Sequence, residues 1–491
     1  MPNFLSQLIT LTGGMLVRIP LSILSTSLLA RALSPNGVGQ WAMILAATTL
    51  LYFSLLKWIQ GPNIRFGREE WTSRHSLSNT WVARWPLIFL GFGLSALLLI
   101  FQPFSFLESL FNLPTSWWPL ILVFILGQWW LSEAQSLLRI TDKIGRFTII
   151  PIAVDFFSIL FLISVFFQPS GIRITFVLIG LVCIYTFVSG VTWFIEFRSS
   201  KSLGEKINWA ASKKMILYGL PIVPGLYFNY LSNWGDHILL QHFKSTEDVG
   251  LFSADFQAMA ALTGLASSIS ILLLAKLIDK KITDSEAERD YIIRIVPTIL
   301  SLWLMMIIPI LTIIPWFFMI VFGSEFSDAI PALLILCGAV PCSIFTSVYV
   351  VLFETQGRLG RSSLFGGIMF FVNMVISFAL VVEFGTVGVA IGTMVSYFIY
   401  QYLYVIDQHM FLKVPKYKAI TLLIFSVFYG LIQIAVGDEM AFRIGGALLS
   451  FSCLILIIRH YKMVDKAILE HLLSGKLSSF HPHFHRILIR H

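Results

Sequence analysis

Apolar runs of about 20 residues recur along the whole chain, separated by short polar breaks. Each run is long enough to cross about 30 Å of hydrocarbon as a helix. Lipid admits only structures that satisfy their own backbone, so repeated runs of this length read as membrane helices. The pattern predicts fourteen spans, at 8–30, 38–60, 82–101, 117–138, 147–167, 172–195, 215–238, 249–275, 295–322, 329–353, 363–382, 386–406, 418–436 and 441–458. The seventh contains Pro221 and Pro224, which remove backbone donors and predict a bent or broken helix. The first run is too long for a signal peptide, carries Arg18 at its centre and lacks a small-residue cleavage pattern, so it is expected to stay as a span. The fold class is an all-α polytopic membrane protein.

The polar breaks repeat. The first hairpin turn reads RALSPNGVGQWAM, and the break between the seventh and eighth spans reads QHFKSTEDVGLFSAD. Both set a polar turn before Val-Gly, matching Gly39 with Gly250 at an offset of 211 residues. RITDKIGRF after the fourth span and ETQGRLGRS after the tenth match Gly145-Arg146 with Gly360-Arg361 at an offset of 215. Spans 1–6 and 7–12 are thus expected to be copies of one six-helix unit. Six is even, so the copies share an orientation and relate by an axis along the membrane normal, a transporter plan with a central cavity between halves. The expected organisation is an N-terminal half at 1–205, a second half at 206–412, two additional membrane helices within 413–458 and a basic tail at 459–491.

Composition agrees: 57% of residues are hydrophobic, 12% are charged and mean hydropathy is +0.83, against about 25% charged in soluble domains. The formal charge of +8 is explained by location. With the N-terminus inside, 28 of the 34 Lys and Arg residues fall in inward-facing segments, including Arg84. The opposite loops hold Arg31, Arg173, Lys244 and Arg443. This split predicts cytoplasmic termini by the positive-inside rule. Nucleic acid is therefore not an expected partner.

Loops of about 20 residues or fewer leave no room for a soluble catalytic domain. No phosphate loop, HExxH or GxSxG motif occurs, so no enzyme activity is expected. The four cysteines lie inside apolar spans without metal spacing, and no metal or other cofactor is expected. The tail carries a weak amphipathic pattern at Met463–Leu473, read as an interfacial helix, and alternating His481, His483 and His485 without acidic partners, read as a flexible basic end.

The candidate chemistry lies in polar residues within the spans. Arg18 is the eleventh residue of the 23 in the first span, and Gly14, Arg18, Ser22 and Ser25 follow helical spacing on one face. A cation in hydrocarbon requires a bundle interior or a water-filled cavity. Arg18 thus has two readings: a fork of donors for phosphate oxygens, or an ion pair with Asp155 or Glu133. Lys57 is a second substrate-binding candidate, but it lies close enough to the inner surface to snorkel. Glu133, Asp155 and Asp255 are ion-coupling candidates. Asn229, Ser232 and Asp236 share one face of the seventh span and, with Ser22 and Ser25, are expected to line the cavity. Asp236 and Asp255 alternatively sit in water at the outer mouth. Trp117-Trp118 reads as an interfacial belt pair, and Trp129-Trp130 as packing.

The stretches LLARALSPNGVGQWAM, YGLPIVPGLYFNYLSNWGDHILLQHF with VGLFSAD, and ETQGRLGRS resemble the Wzx-type, O-antigen and polysaccharide-biosynthesis branch of the multidrug/oligosaccharidyl-lipid/polysaccharide (MOP) exporter superfamily. The resemblance covers the organisation of residues 1–410. It implies a MATE-like fold in the bacterial inner membrane. It also implies flipping of an undecaprenyl-pyrophosphate-linked oligosaccharide by alternating access for lipopolysaccharide or other surface polysaccharide, with membrane lipid, a polysaccharide polymerase and chain-length machinery as partners. In such flippases, cations of the first half's cavity are thought to meet the pyrophosphate; Arg18 and Lys57 are the candidates here. Fewer cations are evident than the lipid II branch would suggest. The alternative is a cation-coupled exporter of small molecules from the same superfamily, drawing on Asp155, Glu133, Asp236 and Asp255. A membrane glycan polymerase or ligase fits less well, because the longest outer loop, about Gln102–Ser116, contains a single charged residue.

Overall fold

The computed structural model describes residues 2–101, 104–197, 209–279, 285–356 and 358–465. All but the first three residues of the amphipathic tail pattern, together with His481, His483 and His485, lie outside the described residues. Among those residues the chain is helical throughout, with no strand. It divides into two compact units, Met1–Gly250 and Leu251–His491.

The first unit opens with α1 (Pro2–Tyr52), which is two helices joined at a single non-helical residue, Ser34. Ser34 has φ 63° and ψ 171°; the extended ψ is what a following proline demands, and Pro35 starts the second arm. That arm continues through a π-helical turn (Phe53–Lys57) into α2 (Trp58–Arg74). From Pro35 to Arg74 it is about 60 Å long at 1.5 Å per residue, roughly twice the hydrocarbon thickness. The second span therefore does not end near residue 60 as the apolar pattern predicts. Its polar half continues the same helix past the length that the hydrocarbon layer requires.

There follow α3 (Ser78–Phe101), α4 (Phe104–Phe111), α5 (Trp118–Ile140), α6 (Ile144–Val165), α7 (Arg173–Phe197), α8 (Trp209–Gly219), α9 (Val223–Phe243) and α10 (Thr246–Asp279), the last entering the second unit. Pro221 and Pro224 act as predicted: α8 stops at Gly219, a 3-10 turn covers Leu220–Ile222, and α9 starts afresh at Val223. Helix α1 packs on α6, α5 on α7, and α2 on α3, α5 and α8. The Glu70 carboxylate caps α3, accepting from the Asn79 and Thr80 amides at 2.9 and 2.8 Å and from the Thr80 hydroxyl at 2.6 Å. Trp118 is fully buried beside Phe111 rather than standing in an interfacial belt.

The Val-Gly match has a structural meaning within this unit. A Cβ on Gly39 would lie 1.8 Å from the Thr246 carbonyl oxygen and 3.0 Å from the Gly250 nitrogen. A Cβ on Gly250 would lie 1.8 Å from the Pro35 carbonyl oxygen and 2.9 Å from the Gly39 nitrogen. Each glycine thus meets the first turn of the other helix, four residues before the opposing glycine. The two copies of the motif cross reciprocally, a local two-fold that admits no side chain.

The second unit contains α11 (Ser285–Asp290), a π-helical turn (Tyr291–Ile295), α12 (Val296–Phe322), α13 (Ile330–Thr355), α14 (Leu359–Phe411), α15 (Tyr417–Val436) and α16 (Met440–Tyr461). Helix α14 is two spans joined at Gly385, whose φ of 56° and ψ of −128° favour glycine. Helix α13 is the buried centre of the unit, packed by α12, α14 and α15. Helices α14 and α16 instead expose Phe371, Val375, Phe378, Val382, Leu448 and Leu456, as lipid-facing surfaces do.

Ten stretches among the described residues are long and apolar enough to cross a membrane. Two of them, Val17–Arg74 and Gly360–Phe411, contain the hairpins at Ser34 and Gly385. Helix α3 and the broken pair α8–α9 occupy the positions predicted for the third and seventh spans. The chain is a multi-pass α-helical membrane protein.

Candidate functional site

Arg18 stands on the first arm of α1, on the face that meets α6. Gly14, one turn earlier, allows that approach: a Cβ there would fall 1.9 Å from Thr148 Cγ2 of α6. The seam continues to Asp155, whose Oδ2 accepts a 3.1 Å hydrogen bond from Arg18 Nε. Of the two acids proposed to neutralise Arg18, Asp155 does so. The pair is asymmetric, because the Arg18 side chain remains 53% exposed while Asp155 is 16% exposed. Only Nε is engaged; the two terminal nitrogens donate to no other described residue. Mid-span and half-exposed, the guanidinium needs water at its outer edge, since lipid would impose a penalty of several kcal/mol. Ser22 on the same arm is exposed and Ser25 half-buried.

Lys57 belongs to a different cluster. It ends the π-helical turn, where its Nζ donates to Gln60 Oε1 at 2.6 Å. Gln60 Nε2 in turn reaches the Ser132 and Ser136 hydroxyls of α5 at 2.6 and 2.8 Å. Lys57 is half-buried and 5.7 Å from the Tyr52 ring centroid, so it is held in a polar seam between α2 and α5. In the same turn, the Ser54 hydroxyl lies 2.7 Å from the Tyr227 hydroxyl of α9.

Glu133 does not meet Arg18. It is buried in α5, where its Oε2 accepts from Arg84 of α3 and from Asn63 Nδ2 of α2 at 3.1 Å. Arg84 is itself 5% exposed, and its guanidinium carbon lies 3.5 Å from the Trp81 ring centroid. Sequence reasoning assigned Arg84 to a loop and missed it; the available signal was its place inside an apolar run, with a lone acid in the fourth span. Trp81 meets Trp193 at 4.9 Å, and Trp193 meets Trp130 at 5.7 Å, so the Trp129-Trp130 pair packs as expected.

The other predicted residues are spread along α9 and α10. Asn229 is exposed, Ser232 half-buried and Asp236 buried on α9. Asp255, in the second unit, is fully buried on α10. Neither Asp236 nor Asp255 stands in water at an outer mouth; packing by neighbouring helices covers both. Arg443 likewise leaves its expected outer loop. It is 1% exposed at the start of α16 and donates to the carbonyls of Leu311, Thr312 and Gly437 and to Gln433 Oε1. Leu311 lies four residues before Pro315, so its carbonyl is the one that Pro315 leaves without a helical donor.

The second sequence match becomes a duplicated ion clamp. Lys143 and Arg146, at the start of α6, both hold Glu196 near the end of α7. Arg358 and Arg361, at the start of α14, both hold Asp407 near its end, with Arg358 at 2.8 Å. The basic residues correspond at an offset of 215 and the acids at 211, within each unit separately. The matching glycines are sterically open positions. The basic residues, rather than the glycines, therefore account for the recurrence of the motif. Sequence reasoning overlooked both acids, although the same repeat offsets pair them.

No known protein family matches the sequence, and no curated protein matches it. Solved structures do share its fold. The chain resembles the lipid II flippase MurJ in an inward closed conformation, with a TM-score of 0.68 at 12% identity over 93% of this chain and 100% of that one. It also resembles an inward-facing multidrug resistance MATE family transporter of the MOP superfamily, at TM-score 0.56 and 13% identity over 85% and 94% of the two chains. A MOP superfamily transporter from Pyrococcus furiosus gives 0.52 and 13% over 88% and 96%. The fold is MATE-like, as the sequence resemblance implied.

Proposed function

We propose that the chain translocates an undecaprenyl-pyrophosphate-linked oligosaccharide from the inner to the outer leaflet of a bacterial inner membrane, by alternating access, for surface polysaccharide assembly. The observation that carries this reading is the state of Arg18. Asp155 fixes the guanidinium through Nε and leaves the terminal nitrogens without a hydrogen bond to any other described residue. A fork of this kind suits a doubly charged phosphate group, because planar donors match its oxygens in pairs. The prenyl chain stays in lipid while the polar headgroup follows a hydrated path past Arg18. No covalent chemistry is required, so the role of the protein is to lower the barrier to headgroup crossing. Lys57, held by Gln60, serves as an entrance residue near the inner surface. The MOP-type fold supports the reading, since one solved neighbour is a lipid II flippase.

Multidrug transporters share the fold, and export of a small cation is the competing reading. Deletion of the gene in its host, followed by complementation, separates the two. Arg18→Ala and Arg18→Glu are expected to reduce surface-glycan display by about 10- to 100-fold, the equivalent of one lost charge-assisted hydrogen bond, with membrane insertion unchanged. Normal display in Arg18→Glu removes the assignment. Drug resistance on overexpression that is insensitive to Arg18 establishes the exporter instead.

A further inference from the structure

The carboxylates within this membrane protein are not treated alike. Glu133 has Arg84 and Asn63, Asp155 has Arg18, Glu196 has Lys143 and Arg146, and Asp407 has Arg358 and Arg361. Asp255 is 0% exposed, and neither of its oxygens has a hydrogen-bond partner among the described residues. It lies nine residues into α10, about 14 Å from the first turn. An ionised carboxylate in that position would lose its hydration and gain no donor, a penalty that buried carboxyl groups avoid by taking up a proton. A fixed structural acid would be expected to find a donor, as Glu133, Asp155, Glu196 and Asp407 have done.

Among the described residues, no compensating charge reaches Asp255. Among the described residues, Cys337 of α13 is a titratable group in electrostatic reach of Asp255. Beyond it stand Tyr429 of α15 and Arg443 of α16. The Tyr429 hydroxyl donates to the Ile308 carbonyl, and the Arg443 guanidinium is engaged by Leu311, Thr312, Gly437 and Gln433. On α10 itself, the acids in the described first turn are Glu247 and Asp248, and Asp248 is bound to Ser245.

We propose that Asp255 is a proton-binding site of the transport cycle, carrying its proton in the conformation described here and releasing it when α10 shifts and water reaches the carboxyl group. The step is a simple dissociation, with the carboxylic acid giving a carboxylate and a proton to water, and it reverses when the site closes. This inference rests on the transport reading, because a buried acid that never opens couples nothing.

Infrared spectroscopy of the purified full-length chain tests it without any transported substrate. Wild-type protein at neutral pH is expected to show the C=O stretch of a protonated carboxyl group. That band should shift when the protein is grown on isotope-labelled aspartate, disappear in Asp255→Asn and fade as pH is raised while the protein stays folded. In Asp255→Glu the band should persist and lose its aspartate isotope shift, which keeps the test open if the asparagine variant fails to fold. No labelled band in wild type overturns the proposal, as does a band unchanged in Asp255→Asn. A band that no pH in the folded range alters marks a permanently neutral structural acid and also overturns it. The outcome is independent of glycan display in the Arg18 variants, so failure here and failure of the flippase reading are distinguishable.

Discussion

Two arginines inside the spans show how one residue type reaches opposite ends. Arg84 is sealed between Glu133 and the Trp81 ring, whereas Arg18 is tethered by one nitrogen and stays half-exposed. Breaking a sealed pair leaves an uncompensated buried charge, typically about 3–5 kcal/mol of destabilisation, while replacing both partners with apolar groups is often near neutral. Arg84→Met or Glu133→Gln alone is therefore expected to lower the apparent melting midpoint of the purified protein markedly, and Arg84→Met with Glu133→Leu to recover most of the loss. Equal losses in the single and double variants would contradict a structural pair. At the half-exposed site the expectation reverses: Arg18→Gln leaves the melting midpoint nearly unchanged and reduces glycan display. Arg18→Lys, which keeps the charge but not the fork, should give intermediate display. A large loss of stability in Arg18→Gln would recast Arg18 as a structural residue. Arg18 was legible in the sequence because an arginine at the centre of an apolar run has no topological excuse. Arg84 was not, because an arginine near a span boundary is counted with the loops until a buried partner is seen.

At the scale of elements, short motifs proved more informative than apolar periodicity. Periodicity placed the helices but could not show that the second span runs on to Arg74, since α2 is polar and its continuation is set by docking on α3 and α5. The two Val-Gly motifs, by contrast, marked a backbone crossing that tolerates no Cβ. Gly250→Ala would set a methyl group 1.8 Å from the Pro35 carbonyl oxygen, which is backbone and cannot turn aside. Overpacking of this kind typically costs about 1–3 kcal/mol. Gly145→Ala, at a helical position with nothing within 4 Å, is expected to be neutral or to stabilise slightly. Thermal unfolding of the two variants side by side checks the contrast. Matching midpoints would mean that the crossing is loose enough to yield, and that the repeated glycine has another cause.

For the whole molecule, charge and helix length together predict an orientation. The Pro35–Arg74 helix exceeds the hydrocarbon thickness by about 30 Å, and its surplus carries Arg65, Arg68 and Arg74. Arg68 joins this projection to the end of α5 through the Ile140 carbonyl at 2.9 Å and Asp142 at 2.6 Å. The two clamps, on Glu196 and Asp407, stand at the ends that the charge distribution assigns to the same side. The sequence predicts that alternation because lysine and arginine are depleted from one set of loops. The partners in each clamp were not legible in it, because an acid at a span end looks like ordinary interfacial charge until a cation about 50 residues away folds onto it. Cytoplasmic orientation of this surface predicts that a fluorescent-protein fusion after Arg74, Leu412 or Asp465 fluoresces and that alkaline phosphatase fused at the same points is inactive. Fusions at Pro114, Gly171, Lys244 and Gly437 should give the reverse. Active phosphatase after Arg74 would place the basic projection outside, contradict the positive-inside reading and put the Lys57 entrance at the wrong leaflet for an inner-to-outer flippase.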